Sequence, residues 1–241
     1  MPPQRLKILT YNVHSCIGTD RRLDPERIAE VISVLKPDII GLQELDVGRR
    51  RTGGTDQAHT IASFLAMEYH FHAALHVEEE RYGDAILTAL PTRMVKAGTL
   101  PSVGEQRGAL WVEIEIGGQT LQVFNTHLGL RGIDRMAQMA ILLGPDWLGA
   151  PDYRHAPRIL IGDLNSTPMT RTYKTAAGLL RDSQLALGGR ARATFPSRFP
   201  LLRLDHVFVS ETVKVIDAAV VSTPLTRAAS DHLPLVVTIE F

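Results

Sequence analysis

The chain has 241 residues, 44% of them hydrophobic and 22% charged, which is the size and composition of one globular α/β domain and short for two. Its 26 basic and 26 acidic side chains cancel. A protein that grips nucleic acid without sequence preference carries a positive excess, because neutralised phosphates supply its binding energy; the balance here argues against a non-specific or processive nuclease without excluding a nuclease altogether.

In chain order, short apolar runs bounded by turn residues predict strands at 6–13, 38–45, 84–90, 109–116, 121–128, 158–165, 204–210 and 233–241. GGQT between the fourth and fifth predicts a hairpin turn. Helices are predicted over 24–37, with Asp24 as N-cap, Pro25 in the first turn and Pro37 as the stop, and over 56–67 and 133–148 by their spacing. A further helix is expected around 169–180, after Pro168. No internal repeat, low-complexity tract or Pro/Gly/Ser-rich linker interrupts the chain. Strands that outnumber helices, with hairpins and crossovers mixed, suggest two stacked sheets with helices outside.

Cys16 is the single cysteine, so no internal disulfide can form, and a metal would be held by oxygen and nitrogen rather than thiolates. The start, MPPQR followed by LKILTYNV, lacks the apolar core of a secretory leader. No stretch approaches the roughly 20 apolar residues of a membrane span. The expectation is a soluble, cytoplasmic protein without stable membrane insertion; Trp147 and Leu148 are the candidates for a small apolar lip. The sequence says nothing of oligomeric state.

The chemistry collects at strand ends. Asn12 ends the first predicted strand, Gln43 and Glu44 the second, Asn125, Thr126 and His127 another, and Asp163 and Asn165 another; Asp205 and His206 interrupt the next, and Ser230, Asp231 and His232 open the last. Each has an ordinary reading taken singly. A lone Asn or a GDLNSTP segment is commonly a turn, a lone His is commonly structural, and Glu44 could begin a surface loop. Asp205 inside an apolar strand is harder to dismiss, because a buried carboxylate needs a partner. Together they describe carboxylates, histidines and amides converging on one edge, an arrangement best explained by a cation and an anionic substrate.

TYNVHS, LQEL, GDAIL after Arg81-Tyr82, NTHLGLR, GDLNSTP, RLDHVFVS and SDHLPL resemble, in order, the motifs of the endonuclease/exonuclease/phosphatase superfamily, in particular its small bacterial members. The ordered set covers essentially the whole chain, 1–241, as one catalytic domain. The resemblance implies an α/β fold: a four-layer sandwich of two stacked mixed β-sheets flanked by helices, as in DNase I. It also implies roles. Glu44 matches the principal metal carboxylate, with Asn12 beside it and Asp231 near the same ion. Asp163 matches the residue that orients or deprotonates the attacking water, Asn165 a donor to the scissile phosphate, Asp205 the carboxylate paired with His232, and His127 a phosphate-facing position. The implied cofactor is Mg²⁺, with Mn²⁺ as substitute, a hard cation that prefers a few carboxylates with water and substrate oxygens.

The leading reading is therefore a Mg²⁺-dependent phosphodiesterase whose partner is a phosphate ester: nucleic acid, lipid head group or small phosphoester. A structure-specific nuclease, a lipid head-group phosphodiesterase and a phosphomonoesterase remain open, because specificity lives in loops. A non-catalytic phosphoester-binding protein is the alternative of another class. Asp84, which stands where such members carry Asn, is expected either to pair with His127 or to tighten a turn. Arg107 is expected either at the phosphate or on the surface. Arg49, Arg50 and Arg51 are candidates for a second anionic group or a solvated loop.

Overall fold

A strand that is apolar on both faces has to be covered on both. The first two strands, β1 (Arg5–Asn12) and β2 (Ile39–Val47), are buried along nearly their whole length. In the computed structural model, which describes residues 4–241, they lie inside a sheet covered by helices on one side and by a second sheet on the other. The remaining strands are β3 (Glu68–Val77), β4 (Glu80–Thr88), β5 (Thr92–Leu100), β6 (Arg107–Ile116), β7 (Gln119–His127), β8 (Arg158–Asp163), β9 (Arg181–Asp182), β10 (Asp205–Val209), β11 (Lys214–Val220) and β12 (Leu235–Glu240). The helices are α1 (Pro25–Leu35), α2 (Gln57–Leu65), α3 (Gly132–Leu142), α4 (Arg171–Ala177), α5 (Ser183–Ala186) and α6 (Pro224–Ala229).

The two six-stranded sheets have the orders β11-β12-β1-β2-β4-β3 and β5-β6-β7-β8-β10-β9. Each contains one central parallel pair, β1 with β2 and β7 with β8, in otherwise antiparallel surroundings. Parallel pairing sends the C-terminal ends of both strands to one edge. Between the sheets, Ile8, Ile39 and Ile86 meet Val112, Val123 and Ile161. On the outer face of the first sheet, Leu9, Tyr11 and Leu42 pack on Ile28 and Ile32 of α1 and Ile61 of α2. On the outer face of the second, Phe124, Leu160 and Phe208 pack on Met139 and Leu142 of α3 and Tyr173 of α4. The order helix, sheet, sheet, helix is the expected four-layer sandwich.

Local signals explain the ends of the elements. Asp24 and Asp56 cap α1 and α2 by accepting the backbone N–H of Arg27 and His59. Gly117 and Gly118, both at positive φ, make the two-residue turn of the β6–β7 hairpin, in which Ile116 opposes Gln119. α3 stops at Leu142, short of the expected 148, where Gly144 and Pro145 follow. Trp147 and Leu148 then fold back into the outer core, 4% and 1% exposed; they form no lip, because their rings and methyls complete the packing around Phe124 and Met139. The predicted strands all form. Four others, β3, β5, β9 and β11, were not expected, and they are the four sheet edges.

Candidate active site

The β1 and β2 ends of one sheet and the β7 and β8 ends of the other meet over the inter-sheet core. Just beneath the site, Asn125 donates to the carbonyls of Leu42 (3.0 Å) and Ala85 (2.9 Å) in the opposite sheet, and Gln43 Nε2 donates to Asn125 Oδ1 (2.8 Å). These two residues, candidates from their strand-end positions, lie below the site and fasten its two halves at a fixed spacing. Gly162 has φ of +144°, and a Cβ there would come 1.9 Å from the carbonyl oxygen of Thr126. Only glycine lets β7 and β8 run this close into His127 and Asp163.

Glu44 owes its direction to a β-bulge. Leu42 opposes Ala85 and Leu45 opposes Gly83, so Gln43 and Glu44 share the single partner Asp84. Glu44 sits at φ +63°, a left-handed conformation that re-aims the side chain out of the strand's alternation. The carboxyl of Asp84 is buried in the bulge, with the backbone N–H groups of Glu44 and His127 nearby; burial pushes it up to about 7 against the pull of Arg107 and those groups.

The side chains converge on Asp163. Asn12 Nδ2 donates to Glu44 Oε1 (2.9 Å) and to Asp163 Oδ2 (3.0 Å). Its Oδ1 accepts the backbone N–H of His14 (3.0 Å). The amide of Asn12 therefore holds two carboxylates in place and turns its oxygen to the backbone. Asp163 Oδ2 lies 3.5 Å from His127 Nε2 and 3.7 Å from His232 Nε2, and Asp163 Oδ1 accepts the backbone N–H of Asn165 (2.8 Å). Burial, reinforced by the Asp205 carboxylate, pushes Asp163 up to about 7 although His232 pulls the other way. Asp205, which opposes Asp163 in register on β10, accepts from His232 Nδ1 at 2.8 Å. Burial alone would lower His232, but the charge and hydrogen bond of Asp205, with Asp163 beyond, raise it to about 10. His232 is thus a cation at neutral pH. Its ring packs on Phe195, with centroids 4.8 Å apart.

His127 has the opposite state. Burial first, then the charges of Arg107 and His232, hold it well below 6.5, so it is neutral. Arg107 Nη1 is 3.1 Å from Nδ1 and can only donate, so Nδ1 accepts and the ring proton sits on Nε2. Asn165 Nδ2 is 3.0 Å from that Nε2 and donates to the Leu128 carbonyl at 2.9 Å, which fixes which amide atom is nitrogen. Two N–H groups that cannot bond each other therefore face the cavity side by side. Asn165 is held there at φ +45°.

Asp231 and Glu44 line the same cavity, of about 460 Å³, with His127, Asp163, Asn165 and His232. The Asp231 carboxylate is 3.0 Å from His14 Nδ1, a contact that lowers its pKa against the effect of burial. Asp205, in contrast, lies behind His232. His14 was missed in the sequence. It belongs to a turn, His14–Ser15–Cys16, with φ of 48°, 50° and 57°, a run of left-handed residues that costs roughly 1–2 kcal/mol each. The signal lay in its place two residues after Asn12, within TYNVHS.

The remaining candidates resolve as follows. Arg107 is buried, between His127 and Glu105 Oε1 (2.8 Å). Arg51 forks onto the buried Asp46 at 2.6 and 2.7 Å and reaches Ser15, Arg49 pairs with Glu80, and Arg50 is exposed. Of the three, Arg51 lines the cavity. His206 points to the far side of its sheet, where its Nε2 bonds the Ser166 carbonyl at 2.8 Å and steadies the loop after Asn165.

The donor chemistry fits a hard cation. Glu44 and Asp231 offer carboxylates to one cavity, and the one cysteine, Cys16, is buried, which keeps it a thiol. Among the described residues, Asp163, Asp205 and His232 also bring one ligand atom each within 4.8 Å of one another, and Asp205 Oδ1 is buried without a hydrogen-bond partner. No helix among the described residues is long and apolar enough to cross a membrane.

The comparisons agree with this fold. The chain is 30% identical over 246 residues to Escherichia coli YbhP, covering 95% of this chain and 94% of YbhP. Its fold is similar to the human nocturnin catalytic domain solved with a bound sulfate anion (TM-score 0.76, 24% identity, 99% of this chain and 94% of that one). It is similar as well to a mannosyl-6-phosphatase of Bacteroides thetaiotaomicron (TM-score 0.78, 20% identity, 98% and 100%). Residues 9–232 match the Endonuclease/Exonuclease/phosphatase family, whose members are hydrolases of phosphoester bonds and typically depend on divalent metals. With its ordered motifs at the convergent edge of two stacked sheets, this chain belongs to that family.

Proposed function

We propose that the chain is a divalent-metal-dependent phosphodiesterase that hydrolyses its substrate by attack of water. The observation that carries the reading is the convergence in one cavity of the Glu44, Asp231 and Asp163 carboxylates with His232, whose Nε2 lies 3.7 Å from Asp163 and whose Nδ1 is held by Asp205 at 2.8 Å; burial raises Asp163 and the Asp205 contact raises His232. An environment that shifts two titrating groups in this way is how a site obtains a base and an acid at neutral pH.

In this reading Glu44 and Asp231 hold Mg²⁺, with Asn12 fixing the Glu44 carboxylate. The cation would offset negative charge on the phosphoryl oxygens. Asp163 orients the attacking water and accepts its proton. His232, kept protonated by Asp205, stabilises the charge that develops on phosphorus and the departing oxygen. The second N–H of Asn165 Nδ2, beyond the one given to Leu128, and His127 Nε2–H, 3.0 Å away, bind phosphoryl oxygens.

The experiment is a parallel screen with Mg²⁺ or Mn²⁺ on supercoiled DNA, abasic-site duplex, phospholipid vesicles and inositol phosphates, with Asp163→Asn as control. Hydrolysis of one class that falls by roughly 10²–10⁴ in the variant supports the reading and names the substrate. A folded, metal-loaded protein inert on all of them, or a variant with unchanged kcat, overturns it.

A further inference from the structure

Among the described residues, the most exposed large apolar side chains are Val34, Val103, Leu130, Ile133, Met169, Phe199 and Leu201, at 66–82% exposure. All except Val34 belong to four segments that leave the second sheet at the edge carrying the site. Residues 101–106 lead into Arg107, 128–133 follow His127, 164–171 follow Asp163, and 195–204 precede Asp205. Leu130, Phe195 and Leu204 line the cavity itself. The segment bearing Phe199 and Leu201 is closed by a bridge between Phe195 and Leu202 and pinned by the Ser197 N–H on the Asp231 carbonyl at 2.6 Å. Its apolar tip therefore stands on a fixed base at the cavity mouth.

Water-exposed apolar groups gathered round one mouth are costly to keep and mark a docking surface. The charges beside them say what docks. Arg131, Arg171 and Arg198 are exposed in these segments, and Glu105 is their single carboxylate, in a chain of zero net charge. The apolar side chains ring an opening instead of forming one flat patch, which suits a deformable surface better than a second protein. Arginine alternating with large apolar side chains is the composition of an interfacial lipid contact.

We propose that this rim docks the protein on an anionic phospholipid surface, with Phe199, Leu201, Met169, Leu130, Ile133 and Val103 entering the head-group layer and the three arginines meeting lipid phosphates. Docking itself needs no catalysis. It places the phosphoesters of that surface at the cavity, and in this consequence alone it rests on the function proposed above.

The test is co-sedimentation of the full chain, in EDTA, with vesicles of phosphatidylglycerol and phosphatidylcholine in equal parts and with phosphatidylcholine alone. The expected result is binding to the anionic vesicles only, weakened by salt. The double variant Phe199→Ser/Leu201→Ser, and separately Arg131→Glu/Arg171→Glu, should each lower that binding by about tenfold or more. Both should keep the circular dichroism of the parent and its rate on soluble bis-p-nitrophenyl phosphate in Mg²⁺. If the parent itself is inert on that diester while vesicle binding behaves as expected, the catalytic reading fails and the docking stands. No binding to either vesicle, equal binding to both, or binding that survives Phe199→Ser/Leu201→Ser overturns the proposal. So does a dimer in sedimentation velocity that the same variant dissociates, since a second copy would then be what covers the rim.

Discussion

Arg107 Nη1 lies 3.1 Å from Nδ1 of His127, and this one contact decides which face of the imidazole carries its proton. A guanidinium stays charged and donates at every accessible pH. With Nδ1 engaged, the neutral ring presents Nε2–H to the cavity beside Asn165.

Nitrogen chemical shifts of His127 should accordingly report a neutral Nε2–H tautomer with no titration near 6.5. Arg107→Met, which keeps the apolar stem, should release the tautomer and lower kcat by up to the roughly 10²-fold expected for one lost oxyanion donor. An Nδ1–H tautomer in the parent, or a full rate in Arg107→Met, would contradict the assignment.

His232 supplies the pH dependence. Its folded-state pKa is raised from 6.5 to about 10, so the stability it contributes is complete below 6.5 and is lost as pH rises through about 10. In metal-free protein, Tm should therefore fall between those values more steeply in the parent than in His232→Gln. Asp205→Asn removes the main raising influence and should bring the imidazole titration down towards 6.5. A parent imidazole that already titrates near 6.5 would mean that the Asp205 contact does not hold the proton.

Asn125 tests the spacing of the two halves. Asn125→Leu leaves the Leu42 and Ala85 carbonyls without the amide that donates to them in the core, while Gln43 Nε2 keeps Thr10 and Gly41. Each stranded buried group costs roughly 1–3 kcal/mol, so urea denaturation should show a loss of about 2 kcal/mol or more. Activity of the folded fraction should fall too, because the bulge at Glu44 shares those strands. An unchanged midpoint would show that the sheets are spaced by apolar packing alone.

The interior of the fold was legible in the sequence, and the edges were not. β1, β2, β7 and β8 are buried on both faces and read as apolar runs. The four unexpected strands, β3, β5, β9 and β11, are all edges. Edge strands are half-exposed and carry charge or small residues that blunt further pairing, as in TRMVKAGTL and KVIDAAV, so their pattern is diluted. The site was legible as a set of residue types at strand ends, and the structure brings Glu44, His127, Asp163, Asn165, Asp231 and His232 to one cavity, with Asn12 bonded to Glu44 and Asp163 and Asp205 behind His232. What periodicity could not reveal was division of labour between neighbours. Gln43 and Asn125 fasten sheets, and Glu44, next in the chain to Gln43, enters the cavity because a bulge at Asp84 turns it. His14 and Arg107 depend on a left-handed turn and on a contact across β6 and β7, which are tertiary facts.

The most direct measurement is hydrolysis of bis-p-nitrophenyl phosphate with Mg²⁺, with excess EDTA, and by Glu44→Ala with Mg²⁺, alongside calorimetric titration of Mg²⁺ into both proteins. The account predicts turnover that vanishes in EDTA and in Glu44→Ala, with Mg²⁺ binding weakened in the variant while its fold is kept. Turnover that persists in EDTA, or a Glu44→Ala protein that binds Mg²⁺ and works as the parent does, would contradict it.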